Sequence, residues 1–114
     1  MAYKLEQLLY HGSAVAASTV YGSAFEVWEF DSNQWVAALA CTLKSGSGNL
    51  DVKFQTLVPG TATWVDLGVS FAQKTGTASE AKAVTIPATV RVAVTVTSTA
   101  TYDIDVWASG RAVN

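Results

Sequence analysis

The chain has 114 residues, half of them hydrophobic, with only 14% charged and a formal net charge of −2. That length fits one domain, which buries about two-thirds of its unfolded surface and folds without a covalent staple. The low charge and lack of a basic patch exclude a phosphate-backbone binder, and no apolar run reaches the ~18 residues that cross a bilayer.

The first segment, MAYKLEQLLYHGS, lacks the basic region and continuous apolar stretch of a secretory signal, so no export is expected. Within it, YKLEQLLY at 3–10 is ambiguous. Leu5, Leu8 and Leu9 have helical spacing, yet the piece is short enough to be an edge strand or a docking arm. The chain therefore divides into an N-terminal arm or edge segment, 1–12, and a single β domain, 13–114. His11 is the only histidine, and nothing around it resembles a nucleophile elbow, so it reads as a surface residue.

Strands are predicted at 14–21 and 24–30. Glu26, Glu29 and Asp31 lie in FEVWEFDSN, but DSN at 31–33 reads as a turn in which short oxygen side chains bond local backbone. Alternation over 35–44 puts Trp35, Ala37, Leu39, Cys41 and Leu43 on one face. Cys41 is the sole cysteine, so there is no intrachain disulfide, and it reads as a buried thiol. KSGSGN at 44–49 leads into a strand rather than a helix, which makes it a flexible hairpin loop and not a phosphate cradle.

In NLDVKFQTLVPGTATWVDLG, residues 49–68, Leu50, Val52 and Phe54 face a core, Pro59-Gly60 turns the chain, and a strand follows at 63–67. Another strand is predicted at 81–86, before the turn signal IPA at 86–88. In TVRVAVTVTST, Val90, Val92, Val94 and Val96 share one face, with Arg91, Ala93, Thr95 and Thr97 on the other. In TYDIDVWASG, Tyr102, Ile104, Val106 and Ala108 point inward while Asp103, Asp105 and Trp107 point outward. Strands this short, separated by turns every ~8–12 residues, predict an all-β protein: an antiparallel β-sandwich, jelly-roll-like, of about eight strands.

Trp28, Trp35, Trp64 and Trp107 are many tryptophans for this length. Trp107 stands on a polar strand face, as a contact residue or beneath a loop, whereas Trp35 and Trp64 begin strands and read as core-edge packing. No residue set is predicted to hold a metal or cofactor or to catalyse a reaction.

The order ALACTLKSGSGNLDVKFQTLVPGTATWVDLGVSFAQKTG, then PATVRVAVTVTSTATYDIDVWASGRAV, resembles the small β-sandwich structural proteins of tailed bacteriophages. The likeness spans about 35–113. It implies a non-enzymatic virion component, a decoration or cement protein on the outer surface of the capsid. The partners it implies are the major capsid protein and copies of the chain itself, commonly as trimers. The candidate interface residues are Leu5, Leu8, Leu9 and Tyr10 of the N-terminal segment, together with Trp107. The hairpin VKFQTLVPGTATWVDLG is also similar to discoidin-like and carbohydrate-binding jelly rolls, so the alternative is a glycan-binding module stacking sugars on Trp107 or Trp64. The short loops here lack the Arg, Asp and aromatic cluster of those binders.

Overall fold

Period-two alternation of β-branched and polar residues produces strands along nearly the whole chain. The computed structural model describes residues 4–14, 18–27, 34–85 and 89–111, with side chains from Glu6 onward. Trp28, Glu29, the DSN turn with Asp31, and the IPA turn lie outside the described residues. The strands are β1 (Lys4–Ala14), β2 (Ser18–Tyr21), β3 (Phe25–Glu26), β4 (Gln34–Ser45), β5 (Leu50–Leu57), β6 (Trp64–Ser70), β7 (Ala78–Thr85), β8 (Thr89–Val96) and β9 (Thr101–Arg111).

One sheet has the order β1-β9-β4-β7 and the other β2-β8-β5-β6, with the short β3 also pairing β8. All the pairings between these strands are antiparallel. The pairs β1·β9, β2·β8, β4·β7 and β5·β6 nest inside one another, as in one long hairpin wrapped into two layers. That is a jelly roll.

The core fills the space between the layers. Val90, Val92, Val94 and Val96 of β8 meet Leu50, Val52 and Phe54 of β5 and the inward residues of β4 and β9, all almost fully buried. Trp35 is at the centre of this core, not at its edge: it is 1% exposed, edge-on to Phe25 at 6.1 Å and to Phe54 at 5.5 Å. Cys41 is buried, and burial pushes its thiol pKa up. Tyr102, also buried, donates its hydroxyl hydrogen bond to the Gly48 carbonyl at 2.9 Å, so the one polar atom it carries inward is satisfied. Ala93 lies on the outward side of β8 yet is only 1% exposed, because Tyr21 and Lys53 flank it in register.

Two irregularities re-aim side chains. In β1 the register to β9 slips between Leu8, opposite Trp107, and Tyr10, opposite Val106. Leu9 is the extra residue of a β-bulge. Leu8 consequently points out, while Leu9 is buried and Tyr10 packs against the core. The helix-like spacing of the leucines is the trace of this bulge in a strand, and residues 4–14 form a sheet edge. In β6 a second slip falls around Gly68, whose φ of +76° is the left-handed conformation that glycine tolerates. It carries the strand on to Ser70, past the predicted end at 67.

Gly22 lies between β2 and β3, and its N–H bonds Val92 O at 2.9 Å. A Cβ there would fall 2.2 Å from the Leu9 carbonyl oxygen, so only glycine lets the two layers approach here. The loop at 44–49 is pinned, in contrast to the flexible loop expected: the backbone N–H groups of Ser47 and Asn49 donate to Thr99 Oγ1 and Thr97 Oγ1 at 3.2 and 2.9 Å. On edge strand β7 the inward positions opposite Leu39 and Ala37 hold Glu80 and Lys82. Glu80 accepts from Lys74 Nζ and from the Ala72 N–H, and Lys82 Nζ donates to the Ser70 carbonyl. Among the described residues, no helix is long and apolar enough to cross a membrane.

Candidate functional site

Strand registry turns the outward face of the first sheet into rows running across the strands. One row is Leu8–Trp107–Ala38–Ala81, from β1, β9, β4 and β7 in turn. Its neighbour toward one end is Glu6–Ser109–Val36–Ala83. Leu8, Val36 and Trp107 are 38%, 41% and 41% exposed, a concentration of large apolar groups on one flat surface. Because the positions on the β4 and β7 side of Trp107 are alanines, the indole stands beside a hollow of about 400 Å³ lined by Ala38, Ala40, Ser79 and Ala81. A knob beside a shallow depression is a shape that a protein surface can fill.

The rows beyond it are polar. His11 pairs through Nδ1 with Asp105, and Ser13 donates to Asp103 Oδ1 at 2.6 Å, with Lys44 Nζ 3.6 Å from the same carboxylate. The Ser13 hydrogen bond and the Lys44 charge hold the Asp103 pKa below its ordinary value. The single histidine and the serine therefore serve different carboxylates, and Ser13 is hydrogen-bonded to Asp103 rather than to the imidazole. Among the described residues no group of three or more His, Cys, Asp or Glu is placed to hold a metal ion.

The outward face of the second sheet is built differently. The Arg91 guanidinium carbon lies 4.0 Å from the Tyr21 ring centre and 4.4 Å from that of Trp64. Arg91 Nε donates to Gln55 Oε1, and Gln55 Nε2 donates to Asp66 Oδ1, both at 2.9 Å. Lys53 Nζ closes the chain on Asp66 Oδ2 at 2.9 Å. Hydrogen bonds from Lys53 and then Gln55 hold the Asp66 pKa down.

Comparison with known proteins places this architecture. No protein-family model and no curated protein sequence matches the chain. Among solved structures, it is similar to one described as "Bacillus endospore appendages form a novel family of disulfide-linked pili", with a TM-score of 0.56 and 15% identity over 98% of this chain and 88% of that one. It is also similar to the SPBc2 prophage-derived protein YomS, with a TM-score of 0.53 and 15% identity over 98% of this chain and 96% of that one. At such identities the likeness is one of fold.

The sequence-predicted site residues do not all gather in one place. Leu8 and Trp107 sit side by side on the first sheet's outer face. Leu9 is core and Tyr10 packs against it, so these two are spent on folding. The Leu5 backbone pairs with Gly110, and its side chain lies outside the described residues. Trp64 does not seal the core: it faces outward with Arg91 over its ring, so that ring face is already covered. Three features were missed: the His11–Asp105 pair, the alanine floor beside Trp107, and the Tyr21–Arg91–Trp64 stack. Only the run of alanines in WVAALA and SEAKAV signalled any of these in one dimension.

Proposed function

We propose that this chain is a virion structural protein of a tailed bacteriophage. In this reading it decorates the capsid exterior and cements the shell by docking the Leu8–Trp107–Ala38–Ala81 row on coat subunits, with copies clustering as trimers. The observation that carries the reading is the exposed Trp107 beside its alanine hollow, in a row, Leu8–Trp107–Ala38–Ala81, that contains no charged residue. Tryptophan at the centre of a flat patch is the residue type that concentrates binding energy at protein interfaces. The fold likeness to a prophage-derived protein and to an appendage pilus protein supports a structural role. The sole cysteine is buried, so disulfide linkage through Cys41 forms no part of the proposal. The role is one of binding, without turnover, metal or cofactor, and many weak copies gain strength through multivalency.

The test is co-sedimentation with empty shells of the phage from which this chain comes. Ala38→Lys puts a charge into the apolar row and should abolish binding, and Trp107→Ala should weaken it about 30-fold or more. Wild-type affinity in both variants, with the fold intact, would remove this face from the proposal. Mass in solution tests the trimer. The hollow beside Trp107, bordered by Ser79, also supports a glycan reading. A saturable tryptophan-fluorescence shift with bacterial surface sugars, lost in Trp107→Ala, would replace shell docking with sugar binding.

A further inference from the structure

We infer that the outer face of the second sheet carries a separate binding site, at Arg91, for a carboxylate supplied by an acidic side chain of a partner protein. Arg91 projects from β8, with Tyr21 of β2 on one side of its guanidinium and Trp64 of β6 on the other. Its Nε is committed to Gln55. Among the described residues no acceptor meets its two Nη amino groups. A guanidinium offers donors in a planar fork that matches a carboxylate, and the fork binds best when its orientation is already fixed.

Here the orientation is fixed from three directions. Two rings flank the guanidinium carbon, at 4.0 and 4.4 Å from their centres, and Gln55 holds Nε. Gln55 is itself held by Asp66, which is anchored by Lys53. Little side-chain freedom is left to lose when a ligand arrives, which removes part of the ordinary cost of binding through a long side chain. Lys53 is matched by Asp66 and Asp51 is held by Gln73, while Glu26 lies opposite Thr89 on the same face, so the attraction for an anion comes from the Arg91 fork itself. With the guanidinium carbon 4.0 Å from the Tyr21 ring centre and 4.4 Å from that of Trp64, the group stays on the surface with its Nη amino groups on offer. Arg, Trp and Tyr together are also the residue types enriched at protein-interface hot spots.

The assignment to a partner protein rests on the structural reading above, but the carboxylate site is tested without any shell. Wild-type protein is titrated with N-acetylglutamate blocked at its α-carboxyl as the methylamide and, separately, with N-acetylglutamine blocked in the same way, so that only the first carries a carboxylate, following the Arg91 Nε–H and Trp64 indole N–H signals by NMR. Saturable shifts with the glutamate derivative alone are expected, and about tenfold weaker binding in Arg91→Lys, which keeps the charge and loses the fork. No saturable shift at Arg91, or equal shifts with both compounds, would overturn the site. A parallel titration with glucuronic acid distinguishes the source: tighter binding than N-acetylglutamate would overturn the protein-partner assignment in favour of an acidic glycan. Failure of shell binding alongside a normal N-acetylglutamate titration would count against shell docking while leaving this site standing.

Discussion

The two outer faces of the sandwich obey the same strand alternation and end in opposite conditions. On the first sheet Trp107 has Leu8 on one side and the small Ala38 on the other, which leaves the indole 41% exposed. On the second, long side chains from four strands interlock, and Arg91 lies over Trp64 while Tyr21 stays half exposed. A tryptophan on an outward strand position thus says little by itself. What its cross-strand neighbours are long enough to do decides whether its surface is left for a partner.

Both faces depend on the two layers being held in register, and at Gly22 the backbone of one layer lies against the Leu9 carbonyl of the other. Gly22→Ala should cost about 3 kcal/mol, measured by denaturant unfolding, and should impair shell docking and carboxylate binding together. Loss of one without the other would show that the faces are positioned independently. The contrast sharpens with paired tryptophan variants. Trp64→Ala should destabilise the fold by about 1–2 kcal/mol through the lost cation–π and packing contacts, whereas Trp107→Ala should cost roughly 1 kcal/mol or less and show its effect in binding. The reverse ranking in urea unfolding would break the comparison.

The smallest effect is acid sensitivity. Asp66 and Asp103 both have pKa values lowered from 3.8. A carboxyl with a lower pKa folded than unfolded contributes stability above the unfolded value, and that contribution is lost as pH falls through the folded one. Unfolding curves from pH 5 downward should therefore show a decline beginning near pH 4. Asp66→Asn and Asp103→Asn should each flatten their own part of it. Only protonation of Asp66 should loosen Gln55 and broaden the Arg91 Nε–H signal.

Much of the fold was legible because burial imposes a strict period on a strand. The valines of β8, the hairpin of β5 and β6, and the outward position of Trp107 all follow from alternation. The period fails where a bulge adds a residue, which is why Leu8 and Leu9 looked helical and why β6 was cut short before Gly68. It also does not give depth: Trp35 and Trp64 both begin strands, yet one is central core and the other faces out. The Arg91 site was illegible for a further reason. Tyr21, Gln55, Trp64 and Arg91 come from four strands, and only the pairing of β2, β8, β5 and β6 brings them together.

The charges turned inward on β7 have a consequence for how copies of this protein can meet. A sheet edge exposes unpaired backbone groups that invite another strand, and inward-pointing charges on such an edge oppose that addition. Adding a strand beside β7 would crowd Glu80 and Lys82, which already bond to Ala72, Lys74 and Ser70. This border of the molecule resists open-ended, fibril-like growth, so concentrated solutions should stay dispersed, and association should run through faces rather than through continuous sheet.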